Sequence, residues 1–270
     1  MRRRPPSWQS EYLAGCYWLD DPDPCVRASA DAIMKSGLPY PRYEKAADGK
    51  ILFKDMWIGG TRFVVPSAIG NTMGYEAHHP SRHHGLMGSL PNFYPPGPSA
   101  EMAGRVSPSV FVRFSCSMDE RYVASWGSGY RSNAEGIAAV TARFKSENVP
   151  PGTLRPTVEV ILRQDIGMIE VLKDSGPRED GSRMQQAAYW PIGKEQKAPD
   201  GSVSEIACDG RNIPGYMNGR IFVTCRSTMK VTPNVTARIS VYSPYIEHMP
   251  AVYGQVKSVL LTALEKGNAR

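Results

Sequence analysis

Two alternating apolar rows and an apolar helical stripe, all within residues 205–266, constrain this chain more than any other stretch. Ile221, Val223 and Cys225 fall on one side of an extended segment, because side chains alternate along a strand. Val235, Ala237, Ile239 and Val241 repeat the pattern after a Pro233-Asn234 turn. Val252, Val256, Val259, Leu260 and Ala263 then recur at helical spacing. Pro250 suits the first helical turn and Gly267 the position after the last. A hairpin and one helix cannot bury both apolar faces alone. They need a larger sheet, and residues 106–207 are rich enough in strand-like runs to supply it. The expected class is α+β: a mainly antiparallel sheet, a capped middle helix, and a C-terminal amphipathic helix packed on the sheet.

The remaining segments fit that frame. Residues 1–25 read as an irregular polar arm, and residues 26–270 as one α+β domain with room for two lobes. Residues 26–35 predict a short helix stopped by Gly37. Asp48-Gly49 and Gly59-Gly60 punctuate a three-stranded meander over residues 42–66. Residues 67–105, dense in glycine and proline, read as a long loop excursion. Residues 109–115 form a strand. Ser132 and Glu135 make a capping box for a helix bearing Ile137, Val140 and Phe144 on one face. Residues 157–163 and 167–173 read as a strand pair, residues 174–186 as a charged surface loop, and residues 187–192 and 203–207 as further strands.

No stretch has the roughly 18 consecutive apolar residues of a spanning helix. The net charge of +6 is dispersed, apart from Arg2, Arg3 and Arg4, so a nucleic-acid interface is not expected. No apolar run follows those arginines, so the start does not read as a signal peptide. Leu13-Ala14-Gly15-Cys16 has the form of a lipoprotein cleavage box, which makes Cys16 a candidate lipid anchor. The other cysteines are Cys25, Cys116, Cys208 and Cys225, and no two form a CxxC pair. In a cytosolic chain they are small core residues. In an exported chain Cys208 and Cys225 suit a disulfide, and the odd count leaves at least one thiol free.

Chemistry-bearing clusters are few. Glu76, His78, His79, His83 and His84 put four of the five histidines within seven residues. Such side chains ligate zinc, nickel or copper, but the spacing matches no metalloenzyme motif. This cluster is the alternative reading, a metal-binding protein or metal-dependent enzyme. No Gly-x-Ser-x-Gly elbow is present. Ser128-Gly129 reads as a turn, and Cys116, ending an apolar strand, as a buried structural thiol rather than a nucleophile. Paired carboxylates such as Glu159 and Glu170 sit on predicted strands and read as part of a solvated face. No cofactor is expected. Phe93 and Tyr94 lie between prolines, and rigid aromatics on a loop are good protein-binding anchors. The candidate partner-binding set is therefore Tyr75, His78, His79, Arg82, His83, His84, Phe93 and Tyr94.

The order of these features carries a resemblance. A hairpin ends in Phe63-Val64-Val65-Pro66, an aromatic proline-rich loop spans residues 90–96, and an alternating Phe/Val strand covers residues 110–114. The pair Cys208 and Cys225, two strands and a final helix follow. This layout, over residues 42–265, resembles the small bacterial periplasmic immunity proteins encoded beside type VI secretion toxins. The resemblance implies a periplasmic protein without catalytic residues, whose partner is a toxin and which works by covering the toxin's active site.

Overall fold

The computed structural model describes residues 22–40, 42–69, 83–90, 93, 109–116, 128–146, 155–177, 183–208 and 224–269. Its centre is an eight-stranded, wholly antiparallel sheet. In spatial order its strands are β4 (His83–Ser89), β5 (Ser109–Cys116), β13 (Val235–Tyr242), β12 (Thr224–Thr232), β11 (Ile206–Cys208), β9 (Arg183–Pro191), β8 (Met168–Pro177) and β7 (Thr157–Arg163). A three-stranded meander holds β1 (Tyr43–Lys45), β2 (Ile51–Ile58) and β3 (Thr61–Pro66). Two short strands, β6 (Ser128–Tyr130) and β10 (Val203–Ser204), pair separately. The helices are α1 (Pro24–Ser36), α2 (Asn133–Ser146) and α3 (Met249–Asn268). The α+β expectation holds.

The hairpin of β12 and β13 turns at Pro233-Asn234, as the sequence predicts. Val235, Ala237, Ile239 and Val241 are all buried on one face. Cys225 and Met229 join them from β12, whereas Ile221 and Val223 lie outside the described residues. That face meets the buried stripe Val252, Val256, Leu260 and Ala263 of α3, together with Met56, Ile58, Phe63 and Val65 of the meander. Each large aliphatic side chain so buried contributes about 1.5–3 kcal/mol. The Phe63 and Phe114 rings, 5.8 Å apart, bridge meander and sheet. The opposite face is covered near β7–β9 by α2, whose Val140 and Phe144 pack on Val171, Ala188 and Trp190. The α2 cap is close to the predicted box. The Glu135 N–H donates to Ser132 Oγ at 3.2 Å, and Glu135 Oε2 accepts from the Arg131 N–H at 2.8 Å.

Several expectations need correction. Within the 67–105 excursion, His83–Ser89 is the edge strand β4, in register with β5. Its glycines and histidines give little strand signal, and β5 supplies the template. The charged loop at 174–186 is largely strand, because β8 runs to Pro177 and β9 starts at Arg183. Ser128-Gly129 belongs to strand β6 and not to a turn. The first helix starts at Pro24, capped by Asp23, whose Oδ1 accepts from the Cys25 N–H at 2.8 Å. Gly267 lies inside α3, which ends at Asn268.

Two disulfides tie these elements. Cys208 and Cys225 sit directly opposite each other on β11 and β12 and are bonded. Cys116 is not a free thiol; it bonds Cys25 across 91 residues and pins α1 to the end of β5. The Gly59-Gly60 turn lies against that bridge. Both glycines take positive φ, and a side-chain carbon on Gly59 would come to 3.0 Å from Cys116 Sγ. No described helix is long and apolar enough to cross a membrane.

Candidate functional site

The predicted site residues fare differently. Tyr75, Glu76, His78, His79, Arg82 and Tyr94, like Cys16, lie outside the described residues. His83 and His84 stand on β4 opposite Ser115 and Phe114. Phe93 is fully buried in the main core, so its ring is an anchor for the chain and not an exposed contact. The reason is local. Gly88 has no side chain, and any Cβ there would run into the Phe93 ring and carbonyl. The Phe93 N–H donates to Gln255 Oε1 of α3 at 2.6 Å.

Gln255 leads to a groove that the sequence reading missed. β2 and β3 provide Phe53, Val64 and Pro66; α3 provides Gln255, Ser258, Val259, Thr262, Ala263 and Lys266, around a cavity of about 360 Å³. The groove forms because β3 and the C-terminal half of α3 lie side by side. Arg62 Nη1 donates to the Gly267 carbonyl at 3.2 Å, and Gly267 admits the Arg62 backbone where a Cβ would collide. Arg62 is fixed in turn by Asp55 at 2.8 Å. Lys266 stands at this end, its Nζ 3.3 Å from the centre of the Phe53 ring. A cation over an aromatic face is attracted by the ring quadrupole. The groove is therefore apolar along its length and positive at one end. The helical stripe contained one signal of it. Val259 falls within that stripe, yet it is only half-buried and lines the groove.

Two carboxylates, Glu170 and Glu205, are buried. Glu170 is fully buried; its Oε1 accepts from Tyr189 Oη at 2.8 Å and its Oε2 from Arg163 Nη1 at 3.3 Å. Glu159 shares its face but pairs two positions away, opposite Leu172, and is exposed. Glu170 is thus buried and ion-paired whereas Glu159 faces solvent. Glu205 accepts from Tyr130 Oη at 3.2 Å and Arg143 Nη2 at 3.1 Å. Burial, and then the Glu205 charge, push the Tyr130 hydroxyl up to about 12. Both clusters are satisfied ion-pair networks that tie strands to their neighbours. Among the described residues no three His, Cys, Asp or Glu side chains come together to hold a metal. No family model, curated protein or solved structure matches this chain.

Proposed function

We propose that this chain is a non-enzymatic binding protein that works outside the cytoplasm and neutralises a secreted bacterial toxin by covering its active site. The groove between β3 and α3 is the observation that carries the reading. An apolar trough with a lysine at one end suits a protruding apolar side chain of a partner, flanked by a carboxylate. The net charge of +6 favours approach of an acidic surface. Two disulfides fit an oxidising compartment, as in the periplasmic immunity proteins whose layout the sequence resembles. Inhibition of this kind needs only a rigid complementary surface, which the disulfides and the large core help to provide.

Binding of the products of neighbouring genes in the native host, measured by pulldown and then by calorimetry, tests the proposal. Thr262→Trp, at an exposed position, fills the groove, and Lys266→Glu reverses its charge. Each is expected to weaken a cognate complex by about tenfold or more, since groove anchors of this type typically contribute over 1 kcal/mol. Unchanged affinity in both variants removes the groove from the interface. Absence of binding to any neighbour, with full survival when the gene is deleted, removes the toxin-inhibitor reading.

A further inference from the structure

The eight-stranded sheet ends on one side in β7, and among the described residues no strand lies beyond it. Proteins usually protect such an edge with a proline, a bulge, charged side chains or a covering segment. β7 has no proline and no bulge, and its two charges, Glu159 and Arg163, are of opposite sign and so can pair across an edge. Its seven residues, Thr157 to Arg163, run in unbroken register with β8. Its side chains stay open as well. Val160 is 55% and Leu162 58% exposed, the two most exposed large apolar side chains described. They lie on the α2 face of the sheet, where Val158 is already packed against the helix cluster. An edge that no described strand covers, with an apolar row beside it, points to pairing with another strand.

The charges on β7 identify that strand. Glu159 and Arg163 lie on the other face, four residues apart, so they share a side and bracket Ile161. Consider a second copy related by a two-fold axis normal to the sheet. Antiparallel pairing then joins residues of equal parity. Centring the axis on Val160 sets Glu159 against Ile161 and Arg163 against Thr157. Centring it on Ile161 sets Glu159 against Arg163 of the other copy, twice, and Val160 against Leu162, twice. Both registers set apolar side chains against each other, Val158 against Leu162 in the first, but only the second pairs opposite charges directly across the ladder, so the second register wins. Arg163 is engaged within its own chain by Asp165 at 2.6 Å and Glu170 at 3.3 Å, yet its side chain stays 27% exposed and so accessible to a further carboxylate.

We propose that β7 is a self-association edge: two copies of this chain pair antiparallel through β7, centred on Ile161, and join their sheets into one of sixteen strands. The interface is isologous, as two-fold dimers require. It lies on strands other than those of the β3–α3 groove, so it stands independently of the toxin-inhibitor reading.

Sedimentation of the full chain over a range of concentrations tests it. The expected result is a monomer–dimer equilibrium. Glu159→Arg places arginine against Arg163 of the second copy, and Val160→Lys puts a charge into the apolar row. Each is expected to raise the dimer dissociation constant by about tenfold or more. Leu52→Lys, at an exposed apolar position of β2, leaves it unchanged. Ile161→Cys is expected to yield a covalent dimer on mild oxidation, beyond the background of the parental chain. Val160→Cys, which faces Leu162, is expected to cross-link far less. Far-UV dichroism establishes that each variant is folded. A parental chain that stays monomeric throughout overturns the proposal. So does a dimer indifferent to Glu159→Arg, or one in which Ile161→Cys gives no excess cross-link.

Discussion

Gly267 shows how one residue can carry opposite expectations. By helix propensity alone, Gly267→Ala stabilises α3 by about 1 kcal/mol, because glycine is the poorest ordinary helix former. The new methyl, however, would collide with the Arg62 carbonyl across the β3–α3 junction. Overpacking of this kind typically costs about 1–3 kcal/mol. The contact is with backbone, which cannot swing aside, so we expect Gly267→Ala to destabilise. Urea denaturation decides it: a raised midpoint means that the helix end is free to move away from β3. Phe93 makes a similar point. Flanking prolines marked it as a rigid loop aromatic, and rigid it is, but its ring fills the core above Gly88. A sequence shows that an aromatic sits on an irregular segment. It does not show toward which side the segment folds.

At the scale of elements, caps and pairings separate. The start of α2 was legible, since Ser132 and Glu135 satisfy backbone donors within a few residues. One further cap comes from far along the chain. Glu195 Oε1 accepts from the Asn133 N–H at 3.1 Å, with Lys197 3.1 Å from its other oxygen. Lys197, and then the Asn133 N–H, hold the Glu195 carboxyl below its ordinary value of 4.5. A carboxylate depressed in the folded state gives stability that is complete above the unfolded pKa and lost as pH falls through the folded one. Glu195→Gln should therefore flatten part of the stability loss below about pH 4.5, leaving the neutral-pH slope unchanged. Thermal midpoints of both proteins across acid pH check this; parallel curves refute it. The strands teach the converse. β4 has almost no intrinsic strand signal, and residues 174–177 at the end of β8 read as loop. Each is extended because a neighbour, β5 or β9, offers a complete hydrogen-bonding edge.

Across the whole molecule, the two disulfides constrain very different spans. Cys208–Cys225 closes 17 residues of separation within a strand pair that already holds itself together. Cys25–Cys116 closes 91 and joins α1 to the far end of β5. On the chain-entropy model the losses are about 3 and about 4.6 kcal/mol. Replacing Cys25 and Cys116 by alanine is expected to lower stability more than replacing Cys208 and Cys225, in guanidinium denaturation of the two double variants. Equal losses, or the reverse order, contradict this. The difference also marks the boundary between the two levels of information. The sequence by itself determined the hairpin of β12 and β13, the meander turns, the α2 cap and the buried stripe of α3. Each depends on periodicity or on hydrogen bonds between residues close in the chain. It also singled out Cys208 and Cys225, whose strands lie near each other along the chain. Only the tertiary structure decided that Cys116 meets Cys25, that Phe93 is buried, that β3 and α3 leave a groove, and that β7 is the last described strand of the sheet, with Val160 and Leu162 exposed. These depend on which elements become neighbours, and contacts between residues distant in sequence leave no local pattern to read.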